Sequence, residues 1–253
     1  MPQTTTPLDL DVPRGVGALL RTTLALFGRH SGLFLSTTLL VVAPVTMLVN
    51  GVWEGGLTDG HAVHSGSLGA GFAAIVATFV MPVLVTALHA TIVRTMGAGR
   101  VPGVGQALRA AAPRFPPAVG AVLWYTILGI VGICLFVVPG IWVLVGGYFA
   151  AQIAVLEHGS PFDAVVRSVR FVRGRWWSTA GTLLAGWLAW TVAFTPLDLA
   201  IGTLHPGVLY VSLLTISAAA KLSLSALFGT LLYFSLRAAD RDRARSEPPL
   251  VAA

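Results

Sequence analysis

The sequence predicts an all-α integral membrane protein with six transmembrane helices, and two observations carry this prediction. Apolar residues make up 55% of the chain and charged residues only 10%. A soluble domain carries about 25% charged residues, so lipid must cover this much apolar surface. Charges are also absent from long stretches, each of which supplies the roughly 20 apolar residues that a span needs. Those stretches are 31–53, 65–93, 115–156, 176–197 and, apart from Lys221, 199–236.

The stretch 115–156 is twice the length that one span requires, so it must contain two spans and a turn. Pro139-Gly140 is typical of a type II turn, because Pro fixes φ at the second position and Gly accepts positive φ at the third. We therefore divide the stretch at these residues. The six predicted spans lie at about 31–53, 67–93, 117–138, 141–157, 177–197 and 208–236.

The arginines predict the orientation of these spans. All fifteen fall in four clusters. Arg14–Arg29 precedes span one, and Arg94–Arg114 lies between spans two and three. Arg167–Arg175 lies between spans four and five, and Arg237–Arg245 follows span six. The other three connections contain no Lys or Arg. Because positive residues favour the cytoplasmic side, both termini are predicted to be cytoplasmic, in the inner (plasma) membrane. The polar ends, 1–13 and 238–253, are predicted to be disordered tails of a membrane domain at 14–237.

A cytoplasmic amphipathic helix is predicted before each odd-numbered span, most clearly at 160–173. Ser160 suits the N-cap, Pro161 the first turn, and Gly174 the end of the helix. Apolar residues recur at helical spacing on one face, and Asp163 and Arg167 form an i, i+4 pair on the other. The apolar set is Phe162, Val165, Val166, Val169 and Val172.

Residues 14–29 and 106–114 resemble this helix, which suggests three repeats of surface helix plus helical hairpin. Leu20-Arg21-Thr22 aligns with Val166-Arg167-Ser168, and Gly28-Arg29-His30 then falls on Gly174-Arg175-Trp176 without a gap. Chance matching of apolar sequence is the alternative interpretation.

One basic segment is a candidate surface for anionic lipid headgroups or for an unknown membrane or cytoplasmic protein partner. It comprises Arg167, Arg170, Arg173, Arg175, Trp176 and Trp177. Paired tryptophans beside a span are also ordinary interfacial anchors, so the segment can simply fix the topology. Nucleic acid is not a predicted partner despite the net charge of +6, because the arginines sit beside spans, where lipid headgroups explain them.

Three further polar residues lie in or beside predicted spans. Lys221 is either buried, with Glu157 or Asp198 as partner, or extends its amine to the outer headgroups. Glu157 is either a charge partner of Arg167 or Arg175 or a solvated carboxylate. His89 is either a proton relay or, as we favour, a hydrogen-bonded structural residue.

Several short motifs in the second half of the chain carry a family resemblance. They are Pro139-Gly140-Ile141-Trp142, Glu157, Ala164-Val165-Val166-Arg167-Ser168, Gly174-Arg175-Trp176-Trp177 and Leu232-Tyr233-Phe234-Ser235-Leu236-Arg237. This pattern resembles a family of poorly characterised bacterial membrane proteins related to the membrane domain of glycerophosphoryl diester phosphodiesterases. Ser235 stands where that pattern has Asp. Since the phosphodiester chemistry belongs to a separate soluble domain, the resemblance implies a membrane accessory protein and not an esterase.

The sequence therefore predicts a non-enzymatic scaffold, regulator or lipid-engaging protein. The alternative is a small transporter or permease component for a hydrophobic or lipid-like substrate, which should place polar groups at the membrane midplane. An intramembrane enzyme ranks last, because no nucleophile, acid and base pattern occurs in the sequence. No catalytic residue, metal site or cofactor is predicted, and the single cysteine, Cys134, allows no intramolecular disulfide.

Overall fold

The computed structural model describes residues 8–47, 49, 76–157 and 159–246. Within these residues the secondary structure is helical and contains no strand, which confirms the all-α prediction. The α-helices are α1 (Val16–Arg29), α2 (Ser31–Thr46), α3 (Met81–Gly97), α4 (Val104–Ala111), α5 (Phe115–Leu135), α6 (Val137–Gly147), α7 (Ala150–Leu156), α8 (Pro161–Val172), α9 (Trp176–Gly202) and α10 (Val208–Ser246). A π-helical turn, Val76–Val80, leads into α3, and a 3₁₀ turn, Ala112–Arg114, joins α4 to α5.

Five helical segments of the described chain are long and apolar enough to cross a membrane. They are Thr78–Gly97, Val104–Leu135, Val137–Leu156, Trp176–Gly202 and Val208–Ser246. α1 and α2 pass the same test only as a pair, and they bend by 88° at their junction. Residues 48 and 50–53 of the first predicted span and 67–75 of the second lie outside the described residues.

The helices pack around α10, which contacts α1, α2, α3 and α9. The core of this bundle is apolar and includes the fully buried Phe34, Phe149 and Tyr233. The outer faces of α5, α6 and α9 expose many large apolar side chains, among them Leu123, Ile127, Ile130, Val131, Val138, Trp187 and Val192. Lipid, which is as apolar as these side chains, is the solvent that such a surface fits.

The turn between the third and fourth predicted spans is not at Pro139-Gly140, and that prediction is wrong. The chain turns at Phe136, whose backbone is extended (φ −156°, ψ 125°), and Pro139-Gly140 lies in the first turn of α6. Pro is tolerated there because the first-turn N–H groups have no partner within the helix. Gly140 instead permits close packing, since a Cβ on it would lie 2.4 Å from the backbone nitrogen of Ile133 in α5.

Both predicted disordered tails are ordered where the structure describes them. Leu8 and Leu10 pack against the core, and the Arg14 backbone N–H donates to Ser235 Oγ at 2.7 Å. At the other end, α10 continues to Ser246, and its Ala238 is buried. Tertiary contacts therefore hold the described chain at 8–14 and as far as Arg241, where disordered tails were expected, and residues 242–246 are helical but exposed. The predicted domain boundaries stay a prediction. Residues 1–7 and 247–253 lie outside the described residues.

The predicted helix at 160–173 is α8, and both of its ends are as expected. Ser160 Oγ accepts the Asp163 N–H at 3.1 Å, and Gly174 follows the helix with φ +87°. The buried face is rotated from the predicted one: it consists of Ala164, Val165, Ser168 and Val172. Arg167 contacts Glu157 instead of the predicted Asp163, whose carboxylate accepts the Ser160 hydroxyl at 2.7 Å.

Among the described residues, each of the short helices α1, α4 and α8 comes before two longer helical segments, and residues 48 and 50–75, between α2 and α3, lie outside the description. This is the order that the predicted repeat requires. The equivalence of the three copies stays a prediction.

Candidate functional site

Contacts bring the arginine clusters together at one end of the bundle. Arg14 bonds to Ser235, Arg175 contacts Asp240, and Arg241 contacts Asp11. Arg94, Arg100 and Arg114 line one cleft together with Val155 and Leu156 of α7. We call this region the arginine end; it comprises the described helix ends and connections that carry Arg14–Arg29, Arg94–Arg114, Glu157–Arg175 and Arg237–Arg245.

Glu157 is the centre of a hydrogen-bonded network at the arginine end. It caps the C-terminus of α7, and its Oε1 accepts the Tyr233 hydroxyl at 2.5 Å. Its Oε2 accepts from the Arg167 guanidinium at 3.4 Å, which confirms one of the two predicted partners. Arg237 donates to the Tyr233 oxygen at 3.4 Å. Glu157 thus joins α7, α8 and α10, and it is not a solvated carboxylate.

Ser168 provides hydrogen-bond partners for the backbone at the interruption between α6 and α7. The chain leaves helical geometry at Tyr148-Phe149, so two backbone groups lose their helical partners. The Ser168 hydroxyl donates to the Gly146 carbonyl at 2.6 Å and accepts the Phe149 N–H at 3.1 Å. Ser168 is fully buried. The sequence analysis assigned no role to this residue, although the pair Gly146-Gly147 is a signal for a helix break.

Arg175 is not part of an open basic surface, contrary to its place in the predicted set. Its guanidinium donates to the Phe171 carbonyl at 3.2 Å and to the Leu236 carbonyl at 3.4 Å, and it also contacts the Asp240 carboxylate. It lies 5.1 Å from the centre of the Phe171 ring. Arg175 therefore holds the start of α9 against the end of α10.

The remaining members of the predicted surface are exposed to different degrees. Arg170 and Arg173 are exposed and form no ion pair within the described part of the chain. Trp177 is 83% exposed, whereas Trp176 is half-buried and donates its indole N–H to the Trp142 carbonyl at 3.2 Å. The surface that stays open is thus Arg170, Arg173 and Trp177, which we call the α8–α9 surface.

His89 has the environment of a structural histidine. Its ring is fully buried and stacks on Phe34 at 5.1 Å. Nδ1 lies 2.8 Å from the Val85 carbonyl, which can only accept, so Nδ1 carries the proton. Nε2 lies 2.8 Å from Ser223 Oγ and accepts its hydroxyl proton in the neutral ring. His89 therefore links α3 to α10 with both nitrogens satisfied.

Lys221 forms an ion pair with Asp198, one of the two partners predicted for a buried lysine. The Nζ–Oδ2 distance is 2.7 Å, and Ser217 donates to the other carboxylate oxygen at 2.7 Å. Both charged side chains are 37% exposed in the isolated bundle. The pair joins α9 to α10 at the opposite end from Arg175 and Asp240.

A cleft that was not predicted from the sequence lies between α3, α5, α6, α7 and α10; its surface is mainly apolar with several polar side chains, and we call it the polar cleft. It has a volume of about 320 Å³. Its polar lining consists of Thr78, Thr86, Tyr125, Thr126, Tyr148, Gln152 and Ser225. Gln152 is only 3% exposed, and its Oε1 has no hydrogen-bond partner within the described chain. No periodic signal predicts this site, because its residues converge only in the tertiary structure.

A family model described as a domain of unknown function, DUF7847, matches residues 76–239. The chain belongs to this family. The matched segment contains all of α3 to α9 and most of α10, so the DUF7847 region includes the Glu157 network, Ser168, the α8–α9 surface and the polar cleft. The comparisons with curated proteins and with solved structures find no match.

Proposed function

We propose that this protein is a non-enzymatic, multi-pass component of the inner (plasma) membrane with both termini in the cytoplasm. In this proposal the arginine end faces the cytoplasm, engages anionic lipid headgroups and serves as a scaffold or regulatory site for a membrane or cytoplasmic protein partner. The observation that carries the proposal is the convergence of the described arginine clusters at one end of the bundle. Positive residues beside spans favour the cytoplasmic side, whose leaflet is anionic.

The α8–α9 surface supports the lipid-binding part of the proposal. α8 buries Ala164 and Val172 against the bundle and exposes Arg170 on its other side, as an amphipathic helix at a membrane surface does. Trp177 is exposed at the start of a helix that is long enough to span, where an indole ring reaches the headgroup level. Within the segment Arg167–Arg175, Glu157 contacts Arg167 and Asp240 contacts Arg175, so Arg170 and Arg173 are the two arginines of this segment that remain for lipid phosphates.

Cysteine labelling tests the orientation. Cys134 is replaced by Ser, and single cysteines are placed at Arg173 in the arginine end and at His205 in the α9–α10 connection. A membrane-impermeant maleimide should label position 205 in intact cells and position 173 only after permeabilisation. Labelling of position 173 in intact cells would overturn the proposed orientation.

Lipid-dependent stability tests the α8–α9 surface. A ligand that binds only the folded state raises its stability, so phosphatidylglycerol in detergent micelles should raise the Tm more than phosphatidylcholine does. The double variant Arg170→Gln/Arg173→Gln should lose about half of this difference or more, because each surface arginine contributes about 1 kcal/mol to anionic lipid binding. Arg243→Gln/Arg245→Gln removes two exposed arginines of the arginine end that lie outside the α8–α9 surface, so it controls for the loss of positive charge alone and should lose less of the difference. Equal shifts in both double variants would contradict the proposed surface.

The polar cleft supports a second candidate function, a small transporter or permease component for a hydrophobic or lipid-like substrate. Ser225 lies about 18 Å from Arg237 along α10 at 1.5 Å per residue, which is near the middle of a hydrocarbon core about 30 Å thick. Polar groups at that depth mark substrate pathways. If the cleft conducts a substrate, Gln152→Leu should abolish uptake or export while abundance and Tm stay unchanged. If the protein is a scaffold, Gln152→Leu should change the stability of the protein and leave transport unaffected.

The resemblance to the membrane domain of glycerophosphoryl diester phosphodiesterases stays a prediction. Several residues that carry it meet in one network, since Glu157 contacts Arg167 and Tyr233 while Ser168 bonds to the backbone beside α7. This network holds α7, α8 and α10 together. It therefore supports the role of an accessory membrane protein.

A further inference from the structure

A second basic site lies at the arginine end, apart from the α8–α9 surface. It is a cleft of about 410 Å³ between the end of α3, the connection that follows it, the 3₁₀ turn before α5 and the end of α7. Three arginines line it, together with two threonines and four small or apolar residues: Arg94, Arg100, Arg114, Thr91, Thr95, Ala98, Ala110, Val155 and Leu156.

No acidic residue among those that the structure describes neutralises the positive charge of this cleft. Its lining contains no carboxylate, and the described contacts include no ion pair to Arg94, Arg100 or Arg114. Glu157, which directly follows the lining residue Leu156, already directs its two carboxylate oxygens to Tyr233 and Arg167. The three guanidinium groups therefore give the cleft a net positive charge, which an anion would balance.

Capping of α3 does not explain the three arginines. The last carbonyls of that helix already accept backbone N–H groups: Ala98 donates to Arg94 at 3.2 Å, and Arg100 donates to Thr95 at 3.1 Å. Gly99, with φ +76°, gives the left-handed turn that this closure requires. The guanidinium groups are therefore available for another acceptor.

We propose that Arg94, Arg100 and Arg114 bind a phosphate ester group. Guanidinium groups match phosphate oxygens in bidentate geometry, and a cleft of this volume accommodates a headgroup. Val155 and Leu156 close the inner side of the cleft and are themselves buried, so the arginines and threonines supply its polar surface. Basic pockets between membrane helices bind lipid headgroups in this way. The site relies on the proposed function only in placing the arginine end at headgroup depth.

The test is native mass spectrometry of the full chain released from detergent, with phosphatidylglycerol as the first probe. The triple variant Arg94→Gln/Arg100→Gln/Arg114→Gln should reduce the occupancy of the retained lipid by about tenfold or more, since each cation near the headgroup contributes a several-fold change. Arg109→Gln/Arg243→Gln/Arg245→Gln, which changes three exposed arginines of the arginine end that do not line the cleft, is the matched control. Equal occupancy in the triple variant and in this control overturns the proposal.

Further arms identify the source of the phosphate and guard against misfolding. Inorganic phosphate and phosphatidylcholine are each added to the wild-type protein and to the triple variant, and the change in Tm is measured. If inorganic phosphate raises the Tm of the wild type and not that of the triple variant, the ligand is a soluble phosphate ester. The triple variant Arg94→Lys/Arg100→Lys/Arg114→Lys retains the charges without the bidentate geometry, so it should bind more phosphatidylglycerol than the Gln triple variant and less than the wild type. The Arg170→Gln/Arg173→Gln variant in the same assay separates this cleft from the α8–α9 surface, so either site can fail without the other.

Discussion

Ser168→Ala is the substitution that most directly tests how the DUF7847 fold is held together. The change removes one oxygen atom from a fully buried site. It leaves the Gly146 carbonyl and the Phe149 N–H without the partners that they have at 2.6 and 3.1 Å. An unsatisfied buried polar group costs about 1–3 kcal/mol in soluble proteins. A hydrogen bond within a membrane protein is worth about 0.6 kcal/mol on average.

Two lost bonds therefore predict a decrease of about 1–4 kcal/mol in the free energy of unfolding of Ser168→Ala. The measurement is unfolding in dodecylmaltoside micelles with increasing dodecyl sulfate, followed by circular dichroism. Ser178→Ala, which truncates an exposed serine near the start of α9, is the control and should change the free energy by less than about 0.5 kcal/mol.

Hydrogen exchange adds a local readout to the same experiment. In the wild type the Phe149 N–H donates to Ser168 Oγ instead of a helical carbonyl. Its hydrogen exchange should therefore accelerate more in Ser168→Ala than the exchange of the amides in α7 does. An unfolding free energy for Ser168→Ala that matches the Ser178→Ala control, with unchanged exchange at Phe149, would refute the argument that this hydroxyl repairs the break.

Three other predictions use the same unfolding measurement. Gly140→Ala should destabilise the protein by about 1–3 kcal/mol because its Cβ would overlap the α5 backbone. Gly181→Ala, with open space around it, should be neutral or stabilising. A greater loss of stability in Gly181→Ala than in Gly140→Ala would contradict the packing. His89→Leu should cost about 1–2 kcal/mol because it removes two buried hydrogen bonds, and a wild-type value would argue against a structural role. Lys221→Met should lower stability by about 1 kcal/mol, and the exchange Asp198→Lys/Lys221→Asp should restore most of it if the ion pair is the cause.

Features that depend on the cost of charge in lipid could be predicted from the sequence. The clustering of arginines at Arg94–Arg114 and Arg167–Arg175 predicted that these connections lie at one end, and the contacts place them there. The reason is that charge exclusion from an apolar medium acts on every residue and needs no knowledge of packing. The ends of α8 were predictable for a similar reason, because the cap of Ser160 and the positive φ of Gly174 are local properties.

Features that depend on tertiary packing could not be predicted in this way. Pro139-Gly140 suits a type II turn and the first turn of a helix equally well, and only the approach of Ile133 to Gly140 explains why the helix formed. Glycines of α9 show the same dependence on packing. A Cβ added to Gly186 would overlap the Phe228 ring, whereas a Cβ added to Gly181 would meet no atom within 4 Å.

The depth of Lys221 follows from two ion pairs that join α9 to α10. Arg175 contacts Asp240 at one end, and Asp198 contacts Lys221 at the other. Along α9 the two pairs are about 35 Å apart, and along α10 about 29 Å, at 1.5 Å per residue. These lengths match a hydrocarbon core about 30 Å thick. When Arg175 lies at one headgroup boundary, Lys221 therefore lies close to the other and not at the midplane. The two ion pairs also have opposite orientation, because the α9 side contributes the cation to one pair and the anion to the other. A shift of α9 along α10 would therefore separate both pairs. This geometry assigns Lys221 to the registration of two helices and leaves the uncharged cleft around Gln152 as the better candidate for any conduction path.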